Sequence, residues 1–134
     1  MLKITEFGTN EEAELHGIWK LLEGETYVLV ARARNERYKI AMREALDKYG
    51  MATLLPKLTE EEQKDINCSV EAETILLGWK KLADDDGEVE YSKAVAKSWL
   101  MKYKEFRSII RMIAENVDNF REENIQRTKE SIKK

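Results

Sequence analysis

The run Asp84-Asp85-Asp86-Gly87 offers a compact set of hard oxygen donors and invites a calcium reading. A loop of the EF-hand type needs its glycine at position six, acidic ligands at one, three and five, and a bidentate Glu at twelve. Gly87 at position six puts Asp84 at three and Asp86 at five, but Leu82 at one and Lys93 at twelve. An apolar first ligand and a cation at the bidentate position defeat the assignment and leave a solvated acidic turn. His16, the single imidazole, has Glu14 nearby for general acid–base work, but no activated nucleophile or oxyanion device accompanies it. Cys68 has no Cys or His at ligand spacing and reads as a buried, inert thiol. Gly78 and Gly87 stand apart from any phosphate-cradling glycine pattern. The remaining carboxylates sit in runs, as solvated faces do. No catalytic residue, metal ligand or cofactor site emerges, and the chain reads as a non-enzyme.

Binding chemistry has more to work with. Arg32, Arg34, Arg37, Lys39 and Arg43 cluster around Tyr38, a combination that nucleic-acid readers use. Glu36 and Glu44 dilute it, and a pI near 5.4 argues against a phosphate-tracking surface. Trp79, Trp99, Tyr103 and Phe106 are large aromatics of the kind that build cores and anchor interfaces. Met42, Met51, Met101 and Met112 add soft, adaptable contact area suited to an apolar helical client. The favoured partner-binding residues are Trp19, Met42, Trp99, Met101 and Tyr103; Trp79 is the least favoured, because its segment reads as buried.

Composition bounds the frame that holds these residues. The 134 residues fit one domain, 43% of them are apolar, and 23 basic against 26 acidic groups give a net charge of −3. One Cys forms no internal disulfide, and one His supplies no multi-histidine metal site. One Pro and six Gly argue against a loop-rich chain. The start, Met1-Leu2-Lys3-Ile4-Thr5-Glu6-Phe7, lacks the apolar run of a secretion signal, and no stretch reaches membrane-spanning length. A cytoplasmic protein is expected. The charge is unevenly spread: residues 1–56, 57–91 and 92–134 carry −1, −7 and +5. An acidic middle beside a basic end permits contacts between copies, although solvated helix faces carry such runs too.

The elements follow from pattern. Residues 18–22 and 26–33 are rich in β-branched and aromatic side chains, and Gly24 between them suits a hairpin. Residues 2–7 supply a possible third strand. Asn35 caps a helix over 36–49 that Gly50 stops, and Leu54-Leu55-Pro56 breaks the chain. Thr59 and Glu62 form a capping box. Behind it Ala72, Ile75, Leu76, Trp79 and Leu82 lie at helical spacing, so a central helix is expected to reach residue 82. Ser92 caps a short helix to residue 102. Phe106, Ile109, Ile110, Ile113, Val117 and Phe120 make one stripe of a last long helix. The expected fold is mainly α (α+β): four helices with a small N-terminal β-hairpin or three-stranded antiparallel unit. Residues 1–34 form the β-rich part, 35–123 the helical part, and 124–134 a tail expected to fray for want of apolar residues.

The order of these elements, with certain short motifs, resembles a known group. Ala31 to Tyr38 reads Ala-Arg-x-Arg-Asn-x-Arg-Tyr. Leu76-Leu77-Gly78-Trp79 follows, then the acidic turn Asp85-Asp86-Gly87 leading to Tyr91-Ser92. Next come 103–107, Ile113-Ala114 and Asn119-Phe120-Arg121. The series is similar to the tail assembly chaperones of long-tailed, non-contractile bacteriophages and related prophages, over roughly residues 19–123. The resemblance implies a chaperone that keeps the tape measure protein soluble while tube subunits polymerise around it. Such a protein acts in the host cytoplasm and is absent from the finished virion. It also implies homo-oligomers, and a frameshifted longer form that recruits the tail tube protein. Nucleic acid and membrane are not among the implied partners. The Lys-rich ending departs from the more acidic one expected of the group. A generic protein-interaction adaptor is the alternative, and a small nucleic-acid-binding protein a third.

Overall fold

A computed structural model describes residues 1–48 and 58–133. Two backbone signals start the fold. Asn10 accepts the N–H of Ala13 at 3.0 Å and caps α1, Glu11–His16. Gly17, at φ 89°, then turns the chain directly into a strand, a conformation that L side chains rarely adopt. Strand β1, Ile18–Glu23, pairs antiparallel with β2, Thr26–Val30, through a turn at Gly24 with φ 55°. The expected hairpin is therefore present. Its third partner comes from elsewhere.

The third strand is β3, Leu76–Lys80, antiparallel to β2 with Leu29 opposite Gly78. The strand order is β1-β2-β3, so β2 is central and buries Val28 and Val30 completely. Residues 2–7, expected as a strand, instead hold a short 3-10 helix, Ile4–Phe7, with no buried residue.

Helix α2, Glu36–Asp47, begins at the Asn35 cap, whose side chain accepts the Tyr38 N–H at 2.9 Å. The Gly50 stop and the break at 54–56 lie outside the described residues. Helix α3, Glu60–Thr74, opens with the expected capping box: Thr59 accepts the N–H of Glu62, and the Glu62 carboxylate accepts the N–H of Thr59. It ends at Thr74, not at residue 82. The five residues after Ile75 extend because β2 needs a second hydrogen-bonded neighbour. Gly78 lets Leu29 approach to ordinary van der Waals distance.

Beyond β3, the acidic turn joins two short strands, β4 (Ala83–Asp84) and β5 (Gly87–Glu88), in a second sheet. Asp84 accepts the Asp86 N–H at 2.8 Å across the turn. Helix α4, Lys93–Lys102, is capped by Ser92. Helix α5, Lys104–Glu115, carries the expected apolar stripe only to Ile113, and Val117 and Phe120 lie beyond its end. Asn116 then caps a 3-10 turn, Val117–Phe120, which keeps Phe120 fully buried. Helix α6, Glu122–Lys133, follows and buries Ile125, so apolar burial continues past Phe120.

The described residues thus hold six α-helices and two antiparallel sheets of three and two strands, a mixed α+β fold. The four-helix expectation is overturned. The core lies where β2 and β3 meet the helices: Val28, Val30, Leu76, Leu100, Ile110 and Phe120 are all fully buried.

Candidate functional site

The site grows from β3. Trp79 points into the core, and its ring stacks on Trp99 of α4 with centroids 5.0 Å apart and planes 13° from parallel. Tyr91 meets Trp79 edge-on at 4.9 Å. Offset stacks and edge contacts of this kind suit the ring quadrupoles and add to the area they bury. The polar ends are satisfied. Trp79 Nε1 donates to the Val89 carbonyl at 2.7 Å, and the Tyr91 hydroxyl donates to the Leu76 carbonyl at 2.7 Å. Burial pushes the Tyr91 phenol above its ordinary pKa.

Trp99 has a second role. It lines a cleft of about 460 Å³ with Tyr103, Phe106, Leu82 and Ala83, rimmed by Asp84 and Asp85. Tyr103 ends α4 and precedes α5, and it stays 48% exposed, which leaves its ring open to a partner. Lys102 Nζ lies 5.3 Å from the Tyr103 ring centre, at the range of a cation–π contact. The cleft therefore has aromatic walls and an acidic side from the β4–β5 turn, with the Lys102 cation beside the Tyr103 ring.

Helix α5 is fixed against α3 by a two-pronged ion pair. Arg107 Nε donates to Glu71 Oε1 at 2.9 Å, and Nη2 donates to Oε2 at 2.8 Å. These bonds hold the Arg107 guanidinium above its ordinary pKa. Arg107 follows Phe106, so the pair anchors the first turn of the helix that walls the cleft.

The expected partner-binding residues do not form one surface. Trp99 and Tyr103 share the cleft. Met101 packs partly buried against the core. Met42 is half-buried on α2. Trp19 lies on β1 beneath Lys80, whose Nζ is 4.3 Å from the ring centre. It lines a separate groove with Ala13, Ile18, Leu29 and Ile125. Leu82 joins the cleft, as does Phe106, which belongs to the same aromatic set but not to the five favoured residues. Phe106 stands three residues after Tyr103, a spacing that brings it to the same wall. Leu82 owes its place to the hairpin turn, which no local pattern announces. Trp79 is buried as expected, but on a strand rather than a helix.

The basic cluster has a structural use. Arg32 donates to the Ala114 carbonyl at 3.1 Å, lies 3.7 Å from Glu14 and sits 5.6 Å from the centre of the Phe120 ring. Lys39 pairs with Glu36. Burial raises the pKa of the Cys68 thiol. Among the described residues, no three His, Cys, Asp or Glu side chains converge as a metal site requires.

A model of the YdaY prophage protein family matches residues 33–131. The chain belongs to that family. No curated protein and no solved structure matches it. Membership in the YdaY family makes this a prophage protein, as the resemblance to phage chaperones anticipates at that coarser level. The whole aromatic cleft, from Leu82 to Phe106, lies within the YdaY match. The β1–β2 hairpin, and Trp19 with it, lies ahead of it.

Proposed function

We propose that this YdaY-family chain is a tail assembly chaperone that binds the tape measure protein and keeps it soluble during tail morphogenesis, without catalysing a reaction. The observation that carries the reading is the cleft of Trp99, Tyr103, Phe106 and Leu82 on a prophage protein. A long helical client offers apolar ridges to such walls, and basic residues beside those ridges would face Asp84 and Asp85. High surface charge keeps the holding protein soluble while it carries a sticky client. In this reading the protein works as homo-oligomers in the host cytoplasm and is absent from the virion. A frameshifted longer form would recruit the tail tube protein.

The test is co-expression with the tape measure protein of the same prophage. The expected result is a soluble client that co-purifies, and a Trp99→Ala/Tyr103→Ala variant that loses most of the co-purified material. A client equally insoluble with and without the chain would overturn the reading. Retention of an unrelated prophage protein, with no effect on the tape measure protein, would favour the adaptor alternative.

A further inference from the structure

The segment ahead of α1 is apolar and exposed, and its 3-10 helix buries no residue. Leu2 is 69% exposed, Ile4 83% and Phe7 59%. Ile4 and Phe7 stand three apart in a 3-10 helix, where such residues eclipse along one face. The arm is thus a preformed apolar ridge, flanked by one cation, Lys3, and one anion, Glu6. The aromatic cleft is its chemical counterpart, with aromatic walls, Asp84 and Asp85 in its lining and the Lys102 ammonium 5.3 Å from the Tyr103 ring centre.

The two features sit at opposite ends of α5. The arm leaves the body at Asn10, whose N–H donates to the Phe120 carbonyl at 2.8 Å, just beyond the C-terminal end of α5. The cleft is built on Tyr103 and Phe106 at the start of the same helix. A twelve-residue helix separates the two by about 18 Å. An outgoing ridge at one end and a matching receptor at the other favour head-to-tail contact between copies, which need not close into a ring.

We propose that the arm of one copy docks in the aromatic cleft of a second copy. Ile4 and Phe7 rest on Trp99, Tyr103 and Phe106, Lys3 faces Asp84 and Asp85, and Glu6 faces Lys102. An arm of this size buries on the order of 800 Å² in total, below the size of stable interfaces, so the contact is weak and reversible. In the absence of client the arm shields the aromatic walls.

The test uses full-length protein and no client, so its outcome is independent of the chaperone reading. Sedimentation velocity across a concentration series should show wild-type self-association that weakens with added salt. Leu2→Ser/Ile4→Ser/Phe7→Ser should weaken it by about tenfold or more, with unchanged circular dichroism and Tm, because these side chains are exposed in the single chain. Asp85→Lys/Tyr103→Ser should do the same; Asp85→Lys alone, an exposed turn position, serves if the pair unfolds the protein. The decisive step is mixing. The arm variant keeps a working cleft and the cleft variant keeps a working arm. Each should be monomeric alone, and the equimolar mixture should form heterodimers and nothing longer. A mixture that stays monomeric overturns the proposal, as does an arm variant that associates like wild type. A wild type monomeric at every concentration, whose tryptophan fluorescence still changes on arm substitution, assigns the arm to its own cleft and overturns it equally.

Discussion

Replacing Arg107 with Met removes a charge that the fold is built around. The pair it breaks has two charge-assisted hydrogen bonds, at 2.8 and 2.9 Å, and its side chains are only 19% (Arg107) and 9% (Glu71) exposed. Met keeps most of the aliphatic stem, so the loss falls on the charge. Glu71 is left nearly buried without its partner, and breaking such pairs costs about 3–5 kcal/mol. Arg107 is the more exposed member and water reaches its side, which places the expected loss near the lower end, about 3 kcal/mol. For 134 residues the unfolding entropy is roughly 0.28 kcal/mol/K, so Tm should fall by about 11 °C. The companion Glu71→Leu strands the guanidinium and should cost a similar amount. The double variant removes both charges and should recover most of the loss, because a packed apolar pair often replaces a buried ion pair at little cost. Urea unfolding of all four proteins closes the double-mutant cycle, with an expected coupling of about 2 kcal/mol or more. A coupling below about 0.5 kcal/mol would refute the claim that this pair anchors α5 to α3.

Three further outcomes follow from local geometry. Asn35→Ala removes the α2 cap and the side-chain N–H that donates to the Arg32 carbonyl at 2.8 Å, at an 8% exposed position; chemical denaturation should show a loss of about 2 kcal/mol. Gly17→Ala forces a Cβ to 3.1 Å from the Leu29 side chain at φ 89°, and should lower stability by about 2–3 kcal/mol, read as a Tm decrease. Hydrogen bonds from Gln126 and then Asn10 hold the Glu122 carboxyl below its ordinary pKa, so its contribution is present above the ordinary carboxylate range and lost as pH falls through the lowered folded value. A carboxyl NMR titration of Glu122 should have its midpoint below that of a Glu in an unstructured peptide, with the Asn10 side-chain amide moving in step; an ordinary midpoint would sink this account.

Where local chemistry decided an element, the sequence was legible. The caps at Asn35, Thr59 and Ser92 each close the loop their residue types anticipate, and Gly24 takes the positive φ that the hairpin needs. Legibility failed where the partner was distant. Ala72, Ile75, Leu76 and Trp79 keep helical spacing, yet Leu76, Gly78 and Trp79 are buried in a strand. A run that is apolar on most sides carries no period that separates helix from strand. What decided between them was β2, more than forty residues earlier, with an unfilled edge. The stripe through Phe120 reads as one helix for a related reason. The 3-10 turn after Asn116 keeps Phe120 facing the core, so burial continues across a break in the backbone. The cleft was half legible. Residue type alone points to Trp99 and Tyr103, but only the β4–β5 turn and the start of α5 show that they face a common space. The same argument points to Trp19 and Met42, which lie apart from it.

The central strand has a practical consequence for anyone trimming this protein. The family match begins at Ala33, yet β3, inside it, pairs in its sheet with β2, which ends at Val30. A fragment cut to the matched residues would therefore release Leu76–Lys80 as a strand without its ladder. Its backbone N–H and C=O groups would be open to the same strand of another fragment, and Val28 and Val30 would be gone from the core. What a sequence profile delimits and what folds cooperatively are different lengths of chain here. The shorter one is an aggregation hazard rather than a domain.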